Sequence, residues 1–218
     1  MNQKGRCVVV LSGGLDSTTV AYWAKNEGYD VHGLTFNYGQ IATKETQHAH
    51  IVAQNLGIQI KEIDLSSLKE IFVGVASIID ETIEIPSTFS QSIIVPFRNG
   101  IFLSVAVAYA ISINSTKIFY GAQGSDAPNY PDCRTQFYKS FETAARIGTD
   151  TELDIEAPFS NITKSELIKL GSKLAVPYAL TWSCYINKEK HCGKCESCIN
   201  RKDAFKDAGI YDPTEYNK

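Results

Sequence analysis

The chain has 218 residues, of which 44% are hydrophobic and 21% are charged, and these are the proportions of a globular protein. Its formal net charge of −3 argues against a protein that mainly grips nucleic acid, because such proteins carry a basic balance or a basic face. No apolar run of about 20 residues is apparent, and the N-terminus shows no secretory pattern. We therefore expect one large cytoplasmic domain, or one with a small appendage, that binds neither membrane nor nucleic acid.

Apolar and helical patterns alternate through the first 65 residues. Short runs rich in β-branched residues at 8–11, 31–36 and 58–65 predict buried parallel strands. The segments 17–28 and 43–56 between them have helical spacing and are bounded by glycines. This β-α-β-α-β order predicts an α/β fold with a Rossmann-like parallel sheet flanked by helices.

The rest of the chain continues this pattern and then changes character. Residues 66–98 predict short helices joined by an irregular segment. Further helices are predicted over 99–113, 135–147 and 164–174, and further strands over 117–121 and 154–157. Beyond Pro177 the pattern gives way to a cysteine cluster. We therefore predict an α/β domain over residues 1–178 and a small C-terminal segment, 179–218, packed on it.

The first predicted strand runs into a glycine-rich turn with the sequence SGGLDS, residues 12–17, which enters a helix. Such a turn directs several backbone N–H groups and a helix N-terminus at one point, a geometry that binds phosphate. The stretch is neither a Walker A loop nor a G-x-G-x-x-G dinucleotide motif. Hydroxyls of Ser12, Ser17 and Thr18 can donate to phosphate, whereas Asp16 repels it unless a cation such as Mg²⁺ intervenes. The alternative is a plain helix N-cap by Asp16 or Ser17, and the β-α-β context favours phosphate.

The SGGLDS stretch resembles the pyrophosphate-loop signature of the N-type ATP pyrophosphatases. The resemblance implies an adenylating enzyme with an HUP-like α/β domain that cleaves ATP between its α and β phosphates. It also implies an ATP-binding segment that comprises Leu11, Ser12, Gly13, Gly14, Leu15, Asp16, Ser17, Thr18, Thr19, Val20 and Ala21.

Four of the six cysteines crowd into one C-terminal stretch: Cys184, Cys192, Cys195 and Cys198. The C-x7-C-x2-C-x2-C spacing lets four thiolates close around one tetrahedral metal, and we predict one structural Zn²⁺ per chain. An iron–sulfur cluster is the rival interpretation, because C-x2-C-x2-C also begins ferredoxin-type ligand runs. We expect His191 to be a surface residue and Cys7 to lie in the core.

Six separated stretches narrow the class of enzyme: FNYGQ, VPFRN, NYPDCR, TWSCY, CGKCESCINRKDAF and GIYDPTEY. In order and spacing they resemble the 7-cyano-7-deazaguanine synthase family over essentially the full length. That resemblance implies a homodimer that uses ATP and ammonium to convert 7-carboxy-7-deazaguanine into a nitrile through adenylated carboxylate and amide intermediates. The chain departs from the family at Asn37, Phe97 and Asn129, and Phe97 puts the shape of the substrate pocket in question.

Five residues form the predicted catalytic set: Asp16, Ser17, Arg98, Asp132 and Arg134. Arg98 and Arg134 are candidates to bind the substrate carboxylate or the transition-state phosphates, with a structural ion pair as the alternative. Asp132 suits the two adjacent N–H donors of the deazaguanine edge, with a helix N-cap as the alternative.

Two further expectations remain from the sequence. The stretch around Lys164 is most simply a helix start, with Thr163 and Glu166 as a capping box. The competing function is a tRNA sulfur-transfer enzyme with an iron–sulfur cluster, which would share the pyrophosphate loop. It would also need an RNA-binding domain or a basic face, and the sequence shows neither.

Overall fold

A computed structural model describes residues 4–217, so residues 1–3 and 218 of the two predicted domain ranges lie outside the described residues. In that part of the chain one sheet contains five parallel strands in the order β3-β2-β1-β4-β5. They are β1 (Arg6–Val10), β2 (Asp30–Asn37), β3 (Gln59–Asp64), β4 (Lys117–Phe119) and β5 (Asp154–Glu156). The predicted α/β fold with a Rossmann-like parallel sheet is confirmed.

Helices connect and flank these strands: α1 (Leu15–Asn26), α2 (Lys44–Leu56), α3 (Lys69–Phe72), α4 (Arg98–Ser112), α5 (Thr135–Thr149), α6 (Lys164–Lys173) and α7 (Glu196–Ala208). The sequence predicted all of the long ones except α7. That helix begins within the cysteine cluster, with Cys195 as its N-cap. The first turn therefore contains a predicted metal ligand, and the helical spacing of apolar residues is not apparent in the sequence. Residues 66–98 form the expected short helical turns and irregular segments.

Both faces of the central strand β1 are buried. Val8 in β1 faces the cluster formed with α4 and α5, whereas its neighbours Cys7 and Val9 face the cluster formed with α1, α2, α6 and α7. Alternate residues of a strand point to opposite faces, so a strand covered on both sides must be apolar throughout. Cys7 is fully buried, which confirms its predicted place in the core.

One segment is more apolar than the sequence analysis allowed. Gln91–Ser112 has a mean hydropathy of 1.6 over an 18-residue window and is long enough to cross a membrane by length and composition alone. Within it, α4 buries one face that includes Phe102, Leu103 and Ala106 against the sheet, and 44% of the window is buried. A helix that packs against a buried sheet can be as long and as apolar as a membrane-spanning helix, and the packing of α4 against the sheet accounts for the apolarity of this segment.

Buried polar contacts tie the C-terminal segment to the α/β domain. Arg201 of α7 is 1% exposed and donates to the Tyr178 carbonyl of the α/β domain at 3.0 Å. Within the C-terminal segment it also donates to the Thr181 hydroxyl (2.7 Å) and the Asp212 carboxylate (3.2 Å). The backbone N–H of Trp182 donates to the Gly13 carbonyl at 2.9 Å. The segment therefore holds the glycine-rich turn from behind.

His191 is not the surface residue that we expected. It is 5% exposed, its Nε2 accepts the Ser183 backbone N–H at 3.0 Å, and its ring lies 4.2 Å from that of Trp182. The chain end covers it, because the Asn217 N–H donates to the His191 carbonyl. His191 is thus a hydrogen-bonded core residue of the C-terminal segment.

Candidate active site and metal centre

The order of the strands reverses between β1 and β4, because β2 and β3 lie on one side of β1 whereas β4 and β5 lie on the other. In parallel α/β sheets, ligands bind in the crevice at the carboxyl ends of the two strands at such a point. A Cβ on Gly121, which follows β4, would lie 2.9 Å from the Ser17 nitrogen, so glycine lets the end of β4 approach the start of α1. A cavity of about 820 Å³ lies at this edge.

The glycine-rich turn leaves the start of α1 free for a ligand. The N-cap is Gly14, without a side-chain cap, so neither Asp16 nor Ser17 caps the helix. The Ser17 hydroxyl instead accepts the Ser12 N–H at 3.1 Å and lies 3.1 Å from the Ser12 hydroxyl. Uncapped N–H groups at a helix start are available to an anion. The geometry thus favours phosphate over the plain N-cap alternative.

Gly13 is required by the turn. Its φ is +80°, and a Cβ there would lie 2.5 Å from both the Ala49 nitrogen and the Glu45 carbonyl oxygen of α2. We expect Gly13→Ala to lower the free energy of unfolding by more than about 2 kcal/mol, because left-handed strain adds to a clash with backbone. Urea unfolding measures this effect. Gly148→Ala is the matched control, because nothing lies within 4 Å of that Cβ, and a loss as large there would contradict the argument.

The predicted ATP-binding segment divides into two sets. Ser12, Gly14, Leu15, Asp16 and Ser17 line the large cavity. The remaining residues do not line it: Leu11, Gly13, Thr18, Thr19, Val20 and Ala21. Only part of the segment therefore faces the cavity, because the first turns of α1 must bury one side to anchor the loop, and the contacts of the segment with ATP stay a prediction.

Asp16 has a basic partner that the sequence analysis missed. Its Oδ2 lies 3.1 Å from the Nζ of Lys164, while its Oδ1 is buried and has no hydrogen-bond partner among the described residues. Burial raises the pKa of the nearby Asp126, which Lys164 opposes and Asp16 reinforces. The predicted capping box of Thr163 and Glu166 is confirmed, and it fixes the start of α6 so that Lys164 reaches the cavity.

The other predicted catalytic residues separate in space. Arg98 lines the cavity, and its Nη1 donates to the Tyr38 hydroxyl at 3.0 Å. Asp132 also lines the cavity, but its Oδ2 accepts the Asn99 N–H of α4 at 3.0 Å. Arg134 is exposed and outside the cavity wall, where it donates to the Ala127 carbonyl at 2.9 Å. The structure therefore gives Arg134 a bracing role in the preceding loop.

Phe97, one of the positions at which the chain departs from the family, has an unusual backbone conformation. Its φ is +58°, a region in which glycine is favoured, and the side chain is 57% exposed. Its ring packs edge-on against Phe137 at 5.7 Å and lies over Gly100. Phe97 does not line the cavity, so the presence of a phenylalanine at this position does not change the shape of the cavity wall directly.

Glu196 is a second cavity residue that the sequence analysis did not identify. It is 7% exposed, and its carboxylate accepts from the Tyr185 hydroxyl at 3.1 Å and from the Asn200 amide at 2.6 Å. Both donors are uncharged, which leaves a buried carboxylate with capacity for further donors. Its place between two predicted metal ligands in the sequence, Cys195 and Cys198, is the signal that could have drawn attention to it.

The four C-terminal cysteines converge as predicted. Their Sγ atoms lie within 4.8 Å of one another, with 3.9 Å between Cys192 and Cys198 and 4.0 Å between Cys184 and Cys195. A tetrahedral Zn²⁺ with bonds of about 2.3 Å places its sulfurs about 3.8 Å apart. Backbone N–H groups also point at these sulfurs, as at Cys192 from Cys195 (3.2 Å), which stabilises thiolates. The cluster could therefore hold one metal ion.

The metal centre and the cavity share one wall. Trp182, Ser183, Tyr185 and Glu196 lie among or beside the cysteines and also line the cavity. The turn of the cluster thus sets where α7 begins, and α7 sets one side of the pocket.

Comparisons with known proteins identify the family of this chain. The profile of the family described as "Queuosine biosynthesis protein QueC" matches residues 6–209. A curated relative from Thermoplasma acidophilum, "7-cyano-7-deazaguanine synthase", is 43% identical over 99% of this chain and 94% of its own length.

Two solved structures share the fold only. The NMN synthetase of Francisella tularensis has a TM-score of 0.56 at 20% identity and covers 94% of this chain and 78% of its own. A 4-thiouridine synthetase in complex with RNA and bound ATP has a TM-score of 0.56 at 15% identity, over 94% of this chain and 50% of its own. The 4-thiouridine synthetase thus resembles this chain in architecture, whereas the match in sequence over nearly the whole length is to the QueC family and to the 7-cyano-7-deazaguanine synthase of Thermoplasma acidophilum. The chain belongs to the family of the queuosine biosynthesis protein QueC.

Proposed function

We propose that this chain is an ATP-dependent carbon–nitrogen ligase that converts 7-carboxy-7-deazaguanine and ammonium into 7-cyano-7-deazaguanine. The observation that carries the proposal is the match to relatives of that name over nearly the full length, in a chain whose glycine-rich loop opens into the cavity. Among the comparisons, only a fold similarity supports the thiolation alternative.

The chemistry requires the same site to act twice. A carboxylate becomes an electrophile when its oxygen attacks the α-phosphorus of ATP and pyrophosphate leaves. Ammonia then displaces AMP and gives the amide. A second ATP adenylates the amide oxygen, and loss of AMP together with the amide protons gives the nitrile. Each nitrile therefore consumes two ATP, and each step needs a site that stabilises charge on phosphate.

Within this scheme the loop residues have distinct roles. The free N–H groups at the start of α1 and the hydroxyls of Ser12 and Ser17 hold the phosphates. Lys164 offsets their charge, and Arg98 binds the substrate carboxylate or the transition-state phosphates. A Mg²⁺ carried by ATP fits Asp16, whose buried Oδ1 is unpartnered among the described residues, and it would supply further charge neutralisation.

The base of the substrate needs an acceptor for its N–H edge. Asp132 already accepts an N–H of α4, whereas Glu196 has only neutral donors and faces the cavity. We therefore assign the ring donors to Glu196 in the first place and to Asp132 in the second. The cysteines hold one structural Zn²⁺, which fixes the start of α7 and with it Glu196.

The decisive experiment incubates the purified protein with ATP, ammonium chloride and 7-carboxy-7-deazaguanine and follows product and AMP by chromatography. We expect the nitrile and about two AMP per nitrile, as the two adenylations require. A reaction without the carboxylate is the control. Absence of nitrile under these conditions would contradict the proposed function. A homodimer, a cytoplasmic location and the boundary at residue 178 stay predictions.

A further inference from the structure

A second, much smaller cavity lies behind the glycine-rich loop. It has a volume of about 20 Å³ and lies beside the large cavity, with which it shares wall residues that include Ser12, Tyr38 and Glu45. A cavity of about 10–15 Å³ holds one water molecule, so this one has room for a single particle of that size. Ammonium is close to water in size, and the reaction proposed above needs it beside the loop.

The walls of this small cavity suit ammonium. Phe36 and Phe102, whose rings stack at 4.2 Å, form an apolar side, and Tyr38 lies edge-on to Phe102. An apolar side of this kind strengthens the attraction between a small cation and a carboxylate, because it keeps bulk water away from both. Glu45, in the first turn of α2, is the one carboxylate of the cavity wall. Its backbone carbonyl also lies against Gly13, so the loop and this helix turn are held together.

We propose that this small cavity is the ammonium site and that Glu45 removes the proton that turns ammonium into the nucleophile. The proposal rests on the proposed function, because it assigns one of its substrates to a place and one of its proton transfers to a residue. Five wall residues shared with the large cavity put the site next to the phosphate loop, where the adenylated carbonyl forms.

The environment of Glu45 favours this proton transfer. Burial raises the pKa of Glu45 to about 7, although the Arg98 guanidinium opposes the shift. The other group that faces it, the Tyr38 hydroxyl, is neutral, since burial raises its pKa to about 12. Burial disfavours the charged forms of both groups, so transfer of a proton from ammonium to the carboxylate, which gives a neutral acid and ammonia, is favoured in a desolvated site.

The step balances without any further reagent. One N–H bond of ammonium breaks and an O–H bond forms on Glu45, which leaves ammonia with its lone pair. That pair forms the C–N bond to the acyl carbon, and the C–O bond to AMP breaks with its electrons on the phosphate oxygen. The amide nitrogen then releases a second proton to solvent, and Glu45 returns its proton to solvent before the next turnover.

The test measures the ammonium dependence of nitrile formation by the metal-loaded protein and its Glu45→Gln variant. We expect KM for ammonium to rise by about 10- to 100-fold, the worth of a hydrogen bond to a buried charge. Pyrophosphate release from ATP and 7-carboxy-7-deazaguanine before ammonium is added should change by less than about twofold. Glu70→Gln, an exposed carboxylate in α3, is the control and should leave both unchanged.

The pH profile gives a second readout. With Glu45, kcat/KM for total ammonium should level off above about pH 7, where the carboxylate is ionised. With Gln it should keep rising toward the pKa of ammonium itself, because only free ammonia then reacts. Should Glu45→Gln fail to fold, Glu45→Asp carries the same test, with a raised KM for ammonium and unchanged pyrophosphate release.

Two results would overturn the proposal. One is an unchanged KM for ammonium in the variant, which would mean that the small cavity holds water only. The other is loss of pyrophosphate release in proportion to loss of nitrile, which would place Glu45 in the adenylation step. Failure of the proposed function looks different, because the unaltered protein would then release no pyrophosphate with 7-carboxy-7-deazaguanine.

Discussion

Asp16→Asn should lower the rate of nitrile formation by about 100-fold or more, the effect of removing one group that organises charge in a transition state. The substitution keeps the shape of the side chain but removes the charge 3.1 Å from Lys164. The lysine then loses its paired carboxylate inside the cavity, and the carboxylate oxygen available to a phosphate-bound cation is lost. Chromatography of nitrile and AMP measures both products at once.

Asp150→Asn is the matched control for this charge change. Asp150 is exposed and ends α5 in a left-handed conformation that asparagine adopts readily, so activity and stability should stay unchanged. A rate within about threefold of the unaltered protein in Asp16→Asn would contradict the role given to the Asp16–Lys164 pair.

Removal of the metal should have the second large effect. Purified protein should contain about one zinc per chain and be colourless, since Zn²⁺ has a filled d shell. Chelation should lower Tm by about 10 °C or more, because several kcal/mol of binding energy are lost and each kcal/mol is worth about 2–4 °C at this size. Nitrile formation should fall with it, since Trp182, Tyr185 and Glu196 form part of the cavity wall.

Single cysteine variants distinguish the effect of losing the metal from the effect of losing any buried cysteine. Cys192→Ala should lose zinc and show the same fall in Tm, whereas Cys7→Ala, in the core of β1, should keep its zinc. Elemental analysis and calorimetry measure these two quantities. Iron and a broad visible absorption would contradict the zinc proposal and favour the iron–sulfur alternative.

Local sequence patterns were sufficient to predict most of the architecture. The apolar runs, the helical spacing and the glycines after α1 and α2 predicted a parallel α/β sheet, because a strand buried on both faces has to be apolar throughout. The spacing of Cys184, Cys192, Cys195 and Cys198 likewise predicted their convergence, since four ligands this close in sequence can meet without help from the rest of the fold.

Distant contacts escaped the sequence analysis. Lys164 is 148 residues from Asp16, and only the packing of α6 beside α1 brings them to 3.1 Å. Arg134 and Asp132 lie two residues apart in the same motif, yet Arg134 donates to a loop outside the cavity whereas Asp132 lines the cavity. Side-chain direction in an irregular segment depends on which backbone groups lie nearby, and the motif contains no information about them.

The sequence by itself determined the fold class, the glycine-rich turn before α1 and the convergence of the four cysteines, because each depends on patterns of residues that are close along the chain. Only the tertiary structure decided that Gly14 leaves α1 uncapped, that Glu196 and Lys164 face the cavity, and that His191 is buried. The physical reason is that burial and charge pairing are properties of the assembled core, in which α6, α7 and the strand ends meet.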